Sequence, residues 1–95
     1  MTATYLMKLE VTTFDTGCTD KEQAVKVLEE AAEVFGAWQY VSQFNPLGMM
    51  LNANRLADEI ADVITAACNL ASRIGVDVAP ALLRTAEKNH QRGRY

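Results

Sequence analysis

The chain has 95 residues, a net charge of −3 and a pI near 5.0, which fits a single domain, residues 1–95, and argues against a nucleic-acid polymer as partner, because a phosphate backbone calls for a basic surface. At 49% hydrophobic and 22% charged it has the composition of an ordinary folded protein, and a chain this short buries a modest core, so association with a second copy is a natural way to bury more. Cys18 and Cys68 lie far apart, no basic-then-apolar leader is visible, and no apolar run is long enough to span a bilayer; these point to a reducing, cytoplasmic setting with no disulfide framework and no membrane partner.

Residues 1–19 mix helix and strand preferences in YLMKLEVTTF and are expected to be irregular. Thr19 or Asp20 can cap a helix, with Glu22 or Gln23 as the reciprocal partner. The pattern from there predicts a helix over 20–44. Ala24, Val27, Leu28, Ala31, Phe35, Trp38 and Ser42 fall on one side of it at helical spacing. Gly36 weakens its middle by about 1 kcal/mol relative to Ala. NPLGMMLNAN then reads as a connection, broken by Pro46 and Gly48. A second long helix is predicted over 54–75, with Leu56, Ile60, Val63, Ala67, Leu70 and Ile74 as its apolar stripe and Gly75 at its C-terminal cap. A third, shorter helix is predicted over 78–91, with Asp77 as cap, Pro80 in its first turn, and Ala79, Leu82, Leu83 and Ala86 facing inward. The fold class is therefore all-α. Two long helices joined by a short connection suggest an antiparallel bundle. One short helix cannot cover their apolar surface, so a second copy is expected to complete it.

The sequence LEEAAEV places Glu29, Glu30 and Glu33 within two helical turns. Glu30 and Glu33 lie about 60° apart around the helix, so their carboxylates can converge, while Glu29 points about 100° away from Glu30. Glu59 and Asp62 repeat the three-residue spacing on the second helix. There they share a stripe with Ala66, Asn69 and Arg73 beside the apolar face. One such pair is ordinarily a solvated face. Two pairs on adjacent helices can oppose each other and form a cluster of hard oxygen donors, which suits Mg²⁺, or Mn²⁺ in its place, rather than Zn²⁺. A carboxylate-bridged di-iron site would need ExxH pairs, and the single histidine, His90, supplies none.

This arrangement resembles the MazG-like all-α nucleoside triphosphate pyrophosphohydrolases, which carry EExxE, a spacer and then ExxD. The match here is Glu29, Glu30, Glu33, Glu59 and Asp62, with 25 residues between Glu33 and Glu59. It extends over roughly residues 18 to 93, through DVITAACNLASRIGVDV and the KN-x-x-R ending, as in short phage and bacterial members. The resemblance implies cleavage of a nucleoside triphosphate, often a deoxynucleotide, between its α and β phosphates. It implies Glu30, Glu33, Glu59 and Asp62 as Mg²⁺ ligands, with Glu29 orienting or deprotonating water or standing in solvent. It also implies dimers or dimers of dimers with the active site at a subunit junction.

Phosphate-gripping groups are available. Lys88 and Arg92 share a face of the third helix with Asn89 beside them. Asn69 is a candidate for contacting sugar or base, and Trp38, Tyr40 or Phe14 for stacking. Arg73 reads as a surface or interface charge. Two alternatives stand beside this reading. One is the related phosphoribosyl-ATP pyrophosphohydrolases. The other is a non-catalytic helical module that dimerises or binds nucleotide.

Overall fold

The computed structural model describes the backbone of residues 5–41 and 46–95, and the side chains of 5–41 and 53–95. Its elements are α1 (Asp20–Val41), α2 (Pro46–Ile74) and α3 (Ala79–Gln91), with no strand among the described residues. The all-helical class holds. The N-terminal segment has no regular structure from residue 5 to 19, as the mixed composition predicts. Residues 42–44, the end of the predicted first helix, lie outside the described residues.

Local chemistry accounts for the helix ends. At α1 the Thr19 hydroxyl accepts the Glu22 amide at 3.1 Å and the Glu22 carboxylate accepts the Thr19 amide at 3.0 Å. This reciprocal pair satisfies two otherwise orphaned donors. It also holds the Glu22 carboxyl below the usual carboxylate range. The helix runs unbroken through Gly36. At its far end α2 closes on Gly75, whose φ of +79° lets its own amide and that of Val76 both reach the Ala71 carbonyl. Before α3 the cap position is Val78, which makes no side-chain cap bond, rather than the expected Asp77; Asp77, one residue earlier, accepts the Ala79 amide at 3.0 Å, with Pro80 in the first turn.

α2 begins eight residues earlier than the predicted 54, at Pro46. Proline breaks a helix interior but fits a helix start, where its missing N–H has no partner to lose and its fixed φ is already helical. The break signal was in fact a start signal.

The larger difference concerns which faces meet. Among the described residues α1 packs along α2, and α3 packs on neither. Across this seam Gln23 meets Ala66, Glu33 meets Glu59, and the Arg55 guanidinium lies over the Tyr40 ring. On α1 the buried residues are Gln23, Glu30 and Ala37, spaced by sevens. They face the α2 stripe of Glu59, Ala66 and Asn69. The predicted apolar stripes are split: Leu28, Phe35, Trp38 and Ile60 are exposed, Phe35 by 60%, while Val27, Leu56, Val63 and Leu70 are half-buried. Leu82 and Leu83 on α3 are exposed, by 67% and 74%. Among the described residues the buried hydrophobics are Ala37 and Ala66 alone. The more polar stripes pair with each other.

Candidate metal centre

Three carboxylates converge between α1 and α2. One oxygen from each of Glu30, Glu33 and Glu59 lies within 4.8 Å of the others. Glu30 is buried, Glu59 is half-buried and Glu33 is exposed. Helical geometry explains the grouping: Glu30 and Glu33 are one turn apart on α1, and the pairing of α1 with α2 sets Glu59 opposite them.

Electrostatics mark the cluster as strained. The Glu33 carboxyl is pushed above its ordinary value, first by hydrogen bonding to the Glu59 carboxyl and then by the charge of Glu30. Each of the two more buried acids also keeps one oxygen without a hydrogen-bond partner, Glu30 Oε2 and Glu59 Oε2. A buried charged oxygen left unsatisfied is costly. The compensation visible in the chain is partial. The Lys26 ammonium donates to Glu30 Oε1 at 3.0 Å, and that contact raises the Lys26 pKa. Three close carboxylates with two orphaned oxygens fit a hard divalent cation by donor type and by charge.

Beside the cluster opens a cavity of about 670 Å³, within the size range of small-molecule sites. α1 supplies Val25, Lys26, Glu29 and Glu30 to it, and α2 supplies Asp62 and Asn69. Phe14, Thr16 and Cys18 of the N-terminal segment form its third wall. Asp62 and Glu29 are both exposed on this cavity and stand outside the trio. Asn69 is 3% exposed, and its side-chain oxygen accepts the Phe14 amide at 2.9 Å. It therefore pins the N-terminal segment to α2.

The basic residues fall elsewhere. Lys88 and Arg92 are exposed on or just past α3, away from the acidic cluster of the same copy. Asn89 is half-buried and accepts Arg94 at 2.8 Å. Of the stacking candidates, Phe14 reaches the cavity. Trp38 tilts against Phe35 with ring centroids 5.8 Å apart, and Tyr40 lies 5.7 Å from the Arg55 guanidinium.

Three contributors escaped sequence reasoning. Gln23 is buried, donates to the Ala66 carbonyl at 3.1 Å and accepts from Thr16 and Cys18. Its signal was the seven-residue step to Glu30. Lys26 carried the four-residue spacing of a helical ion pair with Glu30. Arg73 holds Asp15 and Asp20 at once, and nothing local announces that. Searches of protein families, of curated proteins and of solved structures found no match for this chain. Among the described residues no helix is long and apolar enough to cross a membrane.

Proposed function

We propose that the chain is a Mg²⁺-dependent nucleoside triphosphate pyrophosphohydrolase, which hydrolyses a (d)NTP at the α–β phosphate bond to the monophosphate and pyrophosphate. The observation that carries this reading is the convergence of Glu30, Glu33 and Glu59, with orphaned oxygens on two of them, at the edge of a nucleotide-sized cavity. The resemblance of the acidic motif to the MazG-like enzymes supports the same conclusion.

Glu30, Glu33 and Glu59 would hold the divalent ion, with Asp62 and Glu29 on the cavity wall beside it. The bound ion supplies positive charge to the phosphates and acidifies a water. Glu29 is exposed to that cavity, where a carboxylate can accept a proton from the attacking water. Hydrolysis of a triphosphate asks little else of the protein than positioning and electrostatics. The chain forms an antiparallel helix pair with α3 extended from it, and a second copy covers the exposed Leu28, Phe35, Trp38, Leu82 and Leu83. In such a dimer, or dimer of dimers, Lys88, Asn89 and Arg92 of one copy reach the phosphates bound by the other.

Purified protein incubated with Mg²⁺ and a panel of canonical and modified dNTPs should release pyrophosphate from at least one. Silence across the whole panel, with phosphoribosyl-ATP included, would sink the proposal. A clear preference for phosphoribosyl-ATP would replace the substrate class and keep the site.

A further inference from the structure

The cavity beside the acidic cluster has a wall made of irregular chain, and that wall is tied down from one residue. Residues 14 to 18 carry no secondary structure, yet Phe14, Thr16 and Cys18 line the cavity. Arg73 grips this segment. Its guanidinium donates to Asp15 at 2.8 Å and to Asp20 at 3.0 Å, joining the segment, the start of α1 and the end of α2. The Arg73 side chain is 19% exposed and its partners Asp15 and Asp20 are exposed; hydrogen bonding to Asp20 raises the Arg73 pKa. Asp15 is braced in turn, accepting the Gly17 amide at 2.8 Å where Gly17 takes a φ of +76°. A planar guanidinium can hold two carboxylates in fixed directions, which an ammonium cannot. Asn69 adds a second tie through the Phe14 amide. A smaller cavity of about 310 Å³ opens beside Phe14, lined by Thr13, Asp15, Ser72 and Arg73. Phe14 therefore has room to be displaced, and the ties decide where it stands.

We propose that Arg73, acting through Asp15, is a positioning residue that holds the 14–18 segment as the nucleoside-facing wall of the substrate cavity. This rests on the hydrolase reading for the identity of the occupant. Phe14, Thr16 and Cys18 share the cavity with Glu30 but contribute no group to the carboxylate trio, so the tether governs substrate binding rather than the hydrolytic step. A wall fixed in advance spares the bound state the ordering of a loose segment.

Steady-state kinetics of wild type, Arg73→Ala, Asp15→Asn and the double variant test this. Asn at position 15 keeps an acceptor for the Gly17 amide while losing the charge. Each single change should raise KM about three- to tenfold with kcat within about twofold, and the double should be no worse than Arg73→Ala alone, as for two halves of one interaction. Arg73→Lys should fall between wild type and Arg73→Ala. Hydrogen exchange at the Phe14 amide should quicken in Arg73→Ala. An unmoved KM, additive effects, or a loss of kcat matching a loss of helical circular dichroism would overturn the proposal. If wild type shows no turnover, the hydrolase reading fails by itself. The wall is then read from Kd for a nonhydrolysable dNTP, and either no binding or equal Kd in wild type and Arg73→Ala overturns it.

Discussion

Glu30 and Glu59 approach each other from α1 and α2, and each keeps one buried oxygen without a hydrogen-bond partner. Helix pairs do not usually place two such atoms in the same seam, because desolvating a carboxylate without compensation opposes folding. A divalent cation at this point would supply the missing compensation.

Glu59→Gln should cut turnover by at least about 100-fold, as when a group acting only through the bound ion and the transition state is lost. In chelator the same change should raise the melting temperature by roughly 2–4 °C, since it removes a like charge from the cluster. Pyrophosphate assays and thermal denaturation in EDTA read the two effects. A variant that is slower but no more stable would mean that repulsion is not the cost of the site.

The raised Glu33 carboxyl fixes a pH dependence. The folded chain holds this proton more tightly than the unfolded chain, whose value is near 4.5. The folded state is therefore favoured below that value, and stability drains away as pH rises through the higher folded value. Glu22 runs the other way: its lowered carboxyl stabilises the fold above the unfolded value and loses this as pH falls. The comparison must therefore be with Glu33→Gln. In chelator, wild type should lose more stability than the variant between about pH 4.5 and neutrality, and Mg²⁺ should remove the difference. Parallel pH profiles in chelator would contradict this.

How much of this the sequence disclosed differs from residue to residue. The cap at Thr19 or Asp20, with Glu22 or Gln23, was legible because such partners lie within one turn, and Thr19 with Glu22 is the pair that forms. The meeting of Glu30, Glu33 and Glu59 was legible because helical spacing converts directly into angle, whereas Asp62, expected as a fourth ligand, stands outside that trio. The direction of the apolar stripes was not legible, because periodicity gives a face and says nothing of what that face meets. Here Gln23, Glu30 and Ala37 turn to the neighbouring helix and Phe35 turns out. The Arg73 tether joins residues 58 and 53 positions apart, beyond the reach of any local pattern. Pro46 carried two readings, break or start, that sequence alone does not separate.

Thr19→Ala should cost about 1 kcal/mol of stability, the usual effect of removing a side-chain cap. Urea unfolding monitored by circular dichroism measures it. An unchanged midpoint would show that the reciprocal pair at the start of α1 is not maintained in solution.

The outward apolar face predicts association. Sedimentation should show more than one copy per particle, and Phe35→Asp should shift it toward a single copy with a lower melting temperature. A wild-type protein that sediments as one copy at all concentrations would remove the partner's Lys88 and Arg92 from the mechanism.

Whether the three carboxylates hold a divalent cation is reported directly by Mn²⁺. Titrating Mn²⁺ into the protein while recording the paramagnetic resonance of the free ion should show its signal depleted by wild type. The Glu30→Gln/Glu59→Gln protein, with helical content intact, should leave the signal near its protein-free level. Wild type that binds no Mn²⁺, or a double variant that binds it equally well, would contradict the central claim.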